Sequence, residues 1–179
     1  MRESNGTIEA ITGKVKAGER LSLDEGVELF ERATLLELSA LADRVRWRLH
    51  PEPVVTYVIG RNINYTNVCW VKCSFCAFYR LPGSKEGYVL SKEQIFQKIQ
   101  ELVELGGTEV LMQGGLNPSL KIDYYEDLLS SIKARFPIHM HALSAAEIIY
   151  IAKISALSLK ETLKRLRAAG LDSIPGAGA

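Results

Sequence analysis

The apolar positions that follow residue 20 recur with a helical period. Residues 1–20 carry little periodicity, and we expect them to form a polar, loosely docked end. Beyond them, Ser22 precedes Glu25 by three residues and Thr34 precedes Glu37 by three, which is the spacing of a capping box. Apolar residues recur every three or four positions after each pair. The pattern therefore predicts two helices, which we expect to form a cap in front of the remaining chain.

From residue 51 onward, runs rich in β-branched residues alternate with helical periods. Strands are predicted at residues 54–59, 61–66, 108–113 and 138–143, and another begins at 171. Helices are predicted at residues 91–105, 123–135, 145–153 and 159–168. Strands that alternate with helices indicate a parallel sheet, because each crossover between parallel strands needs a helix-length connection. The predicted fold class is α/β.

The predicted elements divide the chain into two parts. We expect an N-terminal polar segment and helical cap over residues 1–50 and an α/β core over residues 51–179. A complete (β/α)₈ barrel takes roughly 250 residues. The core stops in a Gly-rich stretch directly after a predicted strand, which would leave a parallel sheet with an unpaired edge. We therefore expect an N-terminal fragment that holds about half of a barrel.

Composition and charge exclude several classes of function. Lys and Arg number 22 against 21 Asp and Glu, so the net charge is +1 and no basic excess indicates a nucleic-acid partner. No apolar run approaches the roughly 20 residues that a membrane helix needs. The first six residues lack the apolar core of a signal peptide. We expect a cytoplasmic protein, with no nucleic-acid or membrane partner.

All three cysteines of the chain, Cys69, Cys73 and Cys76, lie within eight residues. A disulfide framework would use an even number of cysteines spread along a small secreted chain. A closed zinc site needs four ligands, and no fourth cysteine or nearby histidine supplies one. Three clustered thiolates are better suited to an iron–sulfur cube, since thiolates are its usual ligands. With three protein ligands, one iron stays open to an outside ligand.

The spacing Cys-x₃-Cys-x-Phe-Cys resembles the signature of radical S-adenosylmethionine (SAM) enzymes. The neighbouring residues narrow the resemblance to the enzymes of the futalosine pathway of menaquinone synthesis. The stretches that carry this likeness are residues 62–67, 76–80, 86–88, 113–118 and 139–144. The resemblance implies a partial TIM-type (β/α) barrel of the radical SAM type, preceded by two helices. It also implies a [4Fe–4S] cluster whose open iron binds SAM.

The resemblance assigns expected roles to residues near the cysteines. It implies that Cys69, Cys73 and Cys76 bind the cluster. The residues expected to bind SAM are Phe75, Phe78, Gln113, Gly114, Gly115 and Ser144. Five of the six have an alternative: the phenylalanines would shield the cluster from water, the glycines would form only a turn, and Ser144 would only cap a helix. Many radical SAM enzymes have Gly-Gly-Glu where this chain has Gln-Gly-Gly, so only a backbone role is carried over.

Two histidines are candidates for chemistry on the substrate. His139 and His141 lie two residues apart in a predicted strand and therefore share a face, with Leu143 beyond them. Together with Glu109 and Gln113 of the preceding strand, they are expected to line the barrel interior. Hydrogen bonding to a substrate, or service as a general base, is then a hypothesis. The alternative is a pair of structural histidines.

The resemblance implies a specific reaction. The 5′-deoxyadenosyl radical made from SAM would remove a hydrogen from the ribose of dehypoxanthine futalosine, and the sugar radical would add to the benzoate ring. Loss of an electron and a proton would give the cyclic product. A nucleoside-derived small molecule is thus the expected substrate, and a flavodoxin or ferredoxin-type protein the expected reductant. The alternatives are aminofutalosine synthesis, deazaflavin synthesis for coenzyme F420, a non-catalytic iron–sulfur electron carrier and an inactive fragment.

Overall fold

The chain divides into two compact units, Met1–Thr56 and Tyr57–Ala179. A computed structural model describes residues 7–176. Within these residues, the first unit holds three helices and the second holds three strands and four helices. The predicted boundary between the helical cap and the α/β core, after residue 50, stays a prediction.

The first unit begins with a helix that the sequence pattern did not predict. Helix α1 spans Ile8–Ala17, and its Ile11 and Val15 are buried. These two residues are four apart, so they share one face of the helix and give it an apolar contact. The expectation of a loosely docked end over residues 1–20 is therefore wrong for this stretch, and residues 1–6 lie outside the described part of the chain.

Both predicted capping boxes of the first unit are present. Helix α2 (Leu23–Arg32) begins after Ser22, and helix α3 (Leu35–Leu49) begins after Thr34. Each cap side chain accepts a backbone N–H three residues on, and the glutamate at that position accepts the N–H of the cap residue. Among the described residues, three helices and not two therefore precede the sheet along the chain.

The second unit alternates strands and helices as the sequence predicts. The strands are β1 (Gly60–Asn64), β2 (Glu109–Gln113) and β3 (His139–Ala142); the helices are α4 (Lys92–Glu104), α5 (Ile122–Arg135), α6 (Ala145–Ile154) and α7 (Leu159–Ala169). The strands pair in parallel in the order β1-β2-β3. This three-stranded parallel sheet is open, as expected for part of a barrel.

The two faces of the sheet differ in polarity. Ile63, Met112 and Met140 are almost fully buried and belong to one apolar core with residues of α4, α5 and α6. The opposite face carries register rows of mostly polar side chains. Neighbouring residues across β1, β2 and β3 form these rows. One row consists of Asn62, Leu111 and His141, and the next consists of Gly60, Glu109 and His139. The polar face therefore contains both histidines and the two asparagines of β1.

The strand predicted at residues 54–59 is not formed. The strand predicted at residues 61–66 corresponds to β1, which begins one residue before the predicted start and ends two residues before the predicted end. Val55 and Tyr57 expose more than four-fifths of their surface. β-branched residues favour strands only where a neighbouring strand and a packed face receive them. Residues 54–58 have no such partner among the described residues.

Two features at the end of β3 depart from prediction. Leu143 is fully buried in the core and has φ 58°, so the strand's alternation ends at Ala142 and Leu143 does not share the face of the histidines. Residues 171–174 were expected to begin a strand. They form a single parallel bridge between Ser173 and His141, beside β3.

Candidate functional site

The loop that follows β1 and the end of β2 enclose a cavity of about 410 Å³. We call it the cysteine cavity. Nine residues predicted from the sequence line it: Cys69, Cys73, Phe75, Cys76, Phe78, Gln113, Gly114, Gly115 and Ser144. Asn64, Asn67 and Glu147 line it as well. The cavity lies at the carboxyl end of parallel strands, where loops of (β/α) barrels carry their functional groups.

Backbone hydrogen bonds hold the base of the cysteine loop, residues 68–80. The N–H of Cys69 donates to the carbonyl of Arg80 at 2.9 Å, and the N–H of Arg80 donates to the carbonyl of Asn67 at 2.8 Å. Asn67 also binds the following segment through its side chain, which donates to the carbonyl of Glu86 at 3.0 Å and accepts the N–H of Tyr88 at 2.8 Å. The two ends of the loop are thereby tied together, and the remaining cysteines lie on the arc between them.

The thiol donors fit an iron–sulfur cluster. Cys69 is buried, Cys73 and Cys76 are half-buried, and all three are free thiols that face the same cavity. Among residues 7–176, no three Cys, His, Asp or Glu side chains lie close enough together to share one metal ion. A [4Fe–4S] cube makes a different demand, because each thiolate binds a separate iron of an extended group. Three thiols around one cavity satisfy that demand.

Two aromatic side chains form an exposed part of the cavity wall. Phe75 exposes 68% of its surface and Phe78 44%. The ring of Phe78 meets that of Tyr88 edge-on, with centroids 6.4 Å apart. Such open aromatic faces are suited to stacking on a planar base. A role in binding adenine and a role in shielding a cluster are both compatible with this placement.

Gly114 and Gly115 allow the end of β2 to approach the cysteine loop closely. A Cβ at Gly114 would lie 2.7 Å from the ring of Tyr65. A Cβ at Gly115 would overlap the carbonyl oxygen of Val68 and lie 2.8 Å from the Cβ of Cys69. The glycines are therefore required for packing, while their backbone also lines the cavity. The interpretation of this pair as a simple turn is wrong, since it forms a close contact between two segments.

A buried carboxylate that the sequence reading missed lies behind the glycines. Ser144 caps α6 in a capping box with Glu147. Glu147 Oε1 accepts the N–H of Gly114 at 3.0 Å and the hydroxyl of Tyr65 at 2.9 Å. Burial raises the pKa of Glu147 above its ordinary value, although its hydrogen bonds favour the carboxylate. The Ser-x-x-Glu spacing was a visible signal for the cap, but not for the contact with Gly114.

The two histidines lie outside the lining of the cysteine cavity, on the polar face of the sheet. His139 Nε2 and His141 Nδ1 both contact the Ser173 hydroxyl, at 2.7 Å and 2.6 Å. Carboxylate oxygens of Glu109 and Asp172 lie 3.9 Å from the ring nitrogens of His139. The shared face predicted for the pair is present. Ser173, which joins them, could not be found from the sequence because it lies more than thirty residues away along the chain.

Asp172 is fixed beside this pair. Burial disfavours its charge, but the Met140 N–H at 2.7 Å and the Lys133 ammonium at 2.9 Å outweigh that effect. The pKa of Asp172 is therefore held below its ordinary value.

Curated relatives resemble nearly the whole chain. The chain is 54% identical over 97% of its length to the cyclic dehypoxanthine futalosine synthase of Halalkalibacterium halodurans, and 43% identical over 96% to that of Streptomyces coelicolor. It is 45% identical over 87% of its length to a 5-amino-6-(D-ribitylamino)uracil–L-tyrosine 4-hydroxyphenyl transferase of Methanococcoides burtonii. These matches cover 47%, 44% and 40% of the relatives. The chain thus spans about half the length of the curated relatives it matches.

Solved structures support the fold. The chain superposes on methylornithine synthase with a TM-score of 0.59 over 93% of this chain and 58% of that one, at 15% identity. It superposes on the FeFe-hydrogenase maturase HydG of Carboxydothermus hydrogenoformans with a TM-score of 0.61 over 94% and 47%, at 21% identity. The family model of the radical SAM superfamily, whose members use a [4Fe–4S] cluster and SAM, matches residues 63–176. This range contains the three cysteines and the whole lining of the cysteine cavity, and the chain therefore belongs to the radical SAM superfamily.

Proposed function

We propose that this chain carries the cluster-binding and SAM-binding part of an enzyme that converts dehypoxanthine futalosine to its cyclic form in menaquinone biosynthesis. The observation that carries the proposal is the 54% identity to a cyclic dehypoxanthine futalosine synthase along 97% of this chain. The cavity lined by three thiols supports it, because the residues that the cofactor chemistry requires lie around one space.

In this proposal the residues of the cysteine cavity have separate tasks. The three cysteines hold the cluster through their thiolates. The backbone of Gly114 and Gly115 and the side chain of Ser144 bind the polar end of SAM, and the rings of Phe75 and Phe78 border its adenine. When bound, the cluster and SAM would supply a carbon-centred radical that abstracts hydrogen. The protein orients the reactants and excludes water.

The polar face of the sheet is the proposed binding surface for the substrate. Asn64 and Gln113 line the cavity, and the neighbouring row on the same face contains Asn62 and His141. Amide and imidazole groups are suited to hydrogen bonds with the sugar hydroxyls and carboxylate of a nucleoside-derived substrate. His139 or His141 is the proposed acceptor of the proton that the cyclised product loses.

The remaining partners are proposed on the same basis. A flavodoxin or ferredoxin-type protein would supply electrons, and the enzyme would work in the cytoplasm without a nucleic-acid or membrane partner. The net charge of +1 supports the absence of a nucleic-acid partner. No helix among residues 7–176 is long and apolar enough to cross a membrane.

A second candidate function is transfer of a 4-hydroxyphenyl group from tyrosine to 5-amino-6-(D-ribitylamino)uracil. The 45% identity to the Methanococcoides burtonii transferase over 87% of this chain favours it. Both reactions would use the same cysteine cavity. The two candidates therefore differ in substrate, and the higher identity over more of the chain favours cyclisation.

The first test of the proposal uses electron paramagnetic resonance. The chain is reconstituted anaerobically with iron and sulfide, reduced, and measured with and without SAM. We expect a [4Fe–4S]⁺ signal that changes when SAM is added, and loss of the signal in Cys73→Ser. A signal indifferent to SAM would favour the electron-carrier alternative, and a cluster retained in Cys73→Ser would contradict the ligand assignment.

The second test addresses the substrate. In a chimera, this chain replaces the matching segment of the Halalkalibacterium halodurans relative. The chimera is assayed with dehypoxanthine futalosine and, separately, with tyrosine and 5-amino-6-(D-ribitylamino)uracil. Formation of the cyclic product alone supports the proposal. Hydroxyphenyl transfer, or no product from a chimera that still binds the cluster and SAM, would contradict it.

A further inference from the structure

Two imidazoles share one hydroxyl group on the polar face of the sheet. Ser173 Oγ lies 2.6 Å from His141 Nδ1 and 2.7 Å from His139 Nε2. A serine hydroxyl has one proton to donate and two lone pairs that accept. When both histidines are neutral, the hydroxyl can therefore accept from one ring and donate to the other. The tautomer of each ring therefore decides which histidine donates to the hydroxyl and which accepts from it.

The surroundings of the two rings differ in a way that favours one direction. His139 exposes 45% of its side chain, and carboxylate oxygens of Glu109 and Asp172 lie 3.9 Å from its ring nitrogens. A positive charge on His139 is thus close to two negative charges and to solvent. His141 is half-buried, and its register partner on β2 is the apolar Leu111. Two carboxylates therefore face the ring of His139, whereas the register neighbour of His141 is apolar.

The placement of His141 relates this cluster to the cysteine cavity. Its partner Leu111 precedes the cavity-lining Gln113 by two residues on β2, and the two share a face of the sheet. Two residues along a strand correspond to about 7 Å. His141 thus lies in the row next to the cavity, and His139 lies one row farther away. The order from the cavity outward is His141, Ser173 and His139.

We propose that Ser173 relays a proton from His141 to His139, so that the two histidines act as one base with an outlet to solvent. At rest, His141 carries its proton on Nδ1 and its Nε2 is free, while His139 Nε2 accepts the Ser173 hydroxyl. A proton arriving at His141 Nε2 is balanced by transfer of the Nδ1 proton to Ser173 Oγ. The serine proton passes at the same time to His139 Nε2.

The relay ends with one additional proton on His139 and none gained by His141 or Ser173. The resulting imidazolium is stabilised by Glu109 and Asp172 and returns its proton to water. No electron moves in any of these transfers. The inference rests on the proposed function only for the source of the proton, which is the product of cyclisation. Ser173 acts here through the histidines, as a positioning and relay residue.

Nitrogen NMR of the histidine-labelled chain tests the relay without any cofactor or substrate. The nitrogen chemical shifts report which nitrogen of each imidazole ring carries the proton. We expect both His139 and His141 to carry their proton on Nδ1, which is the less common tautomer of a solvated imidazole. Ser173→Ala should shift both rings toward the Nε2–H tautomer, and Ser173→Thr, which keeps the hydroxyl, should restore the original tautomers.

A matched serine controls for general effects of the substitution. Ser131 lies on α5 and its hydroxyl donates to the carbonyl of Asp127, so Ser131→Ala should leave both histidine tautomers unchanged. A His141 ring protonated on Nε2 in the unmodified chain would overturn the proposal, because that nitrogen could not then accept a proton. Unchanged tautomers in Ser173→Ala would overturn it as well.

Turnover provides a second measurement, in the chimera described above. Ser173→Ala should lower kcat for cyclisation by roughly 100-fold or more, as expected for lost acid–base assistance, with KM nearly unchanged. Ser173→Thr should recover most of the rate. An unaltered kcat in Ser173→Ala would overturn the relay. Absence of cyclisation in the unsubstituted chimera would instead contradict the proposed function, and the NMR result would still decide whether the relay geometry exists.

Discussion

The buried carboxylate of Glu147 accepts the backbone N–H of Gly114 at 3.0 Å. The same oxygen accepts the hydroxyl of Tyr65, and the other oxygen accepts the N–H of Ser144 at 2.8 Å. Tyr65 follows β1, Gly114 follows β2 and Ser144 caps the start of α6. One side chain thus joins three segments at the wall of the cysteine cavity, and the geometry of that wall depends on it.

Removing the hydroxyl of Tyr65 should destabilise the chain. In Tyr65→Phe, Glu147 and the Tyr125 hydroxyl each lose a buried hydrogen bond, which we expect to lower the free energy of unfolding by about 1–3 kcal/mol. A double-mutant cycle with Glu147→Ala, which removes the acceptor, should give a coupling energy of about 0.5–3 kcal/mol, measured by chemical denaturation. Additive effects would show that the two side chains do not interact.

Tyr124 provides the control for that substitution. Its hydroxyl is buried and finds no partner among the described residues. Tyr124→Phe removes an unpaired polar group, so the free energy of unfolding should stay the same or rise. A loss equal to that of Tyr65→Phe would indicate that the effect comes from the packing contacts of the hydroxyl oxygen and not from the bond to Glu147.

Stability should depend on pH through Glu147. Burial raises its pKa above the ordinary value of 4.5, so the folded chain binds this proton more tightly than the unfolded chain. The resulting contribution to stability is fully present below pH 4.5 and is lost as the pH rises through the higher folded pKa. Glu147→Gln cannot titrate. Denaturation from about pH 4 to about pH 7 should therefore show a decline in the unmodified chain relative to the variant. If the two proteins show the same dependence of stability on pH, the prediction is wrong.

A methyl group at Gly115 should disturb the cysteine loop. In Gly115→Ala the added Cβ meets the Val68 carbonyl and the Cys69 Cβ, so the backbone has to move. We expect a loss of about 1–3 kcal/mol in the free energy of unfolding and less iron bound after reconstitution. Gly26→Ala is the control, because that site lies within α2 and has open space around it. There we expect a gain of about 0.5–1 kcal/mol, and equal effects at both sites would contradict the packing argument.

The two proposed roles of Ser144 can be separated with a second helix cap. Ser144 and Ser91 each form a capping box, with Glu147 and Gln94. Either serine replaced by alanine should lower the free energy of unfolding by about 0.5–2 kcal/mol. Only Ser144 lines the cysteine cavity, so only Ser144→Ala should also weaken the response of the cluster signal to SAM. If the cluster signal responds to SAM equally in the two variants, Ser144 only caps α6 and does not bind SAM.

Local chemistry made much of this fold predictable. The capping boxes at Ser22, Thr34 and Ser91 mark helix starts because side chain and backbone within four residues satisfy each other. The alternation of strands and helices predicted the parallel α/β sheet, and the cysteine spacing predicted the superfamily. The predictions failed where contacts distant in sequence, and not the local pattern, decide the conformation. Residues 54–58 have strand-forming side chains without a partner strand, and Leu143 leaves the pleat through a positive φ.

The sequence by itself determined the cysteine spacing, the helix caps and the period of each element, because these depend on neighbours within a few residues. Only the tertiary structure decided which side chains meet across the sheet. Glu147 reaches Gly114 over 33 residues, and Ser173 reaches His141 over 32. Such contacts depend on strand register and on the turn that ends each strand, which local pattern does not specify. For that reason the cysteine loop was predictable, and the carboxylate and hydroxyl on which the further proposals rest were not.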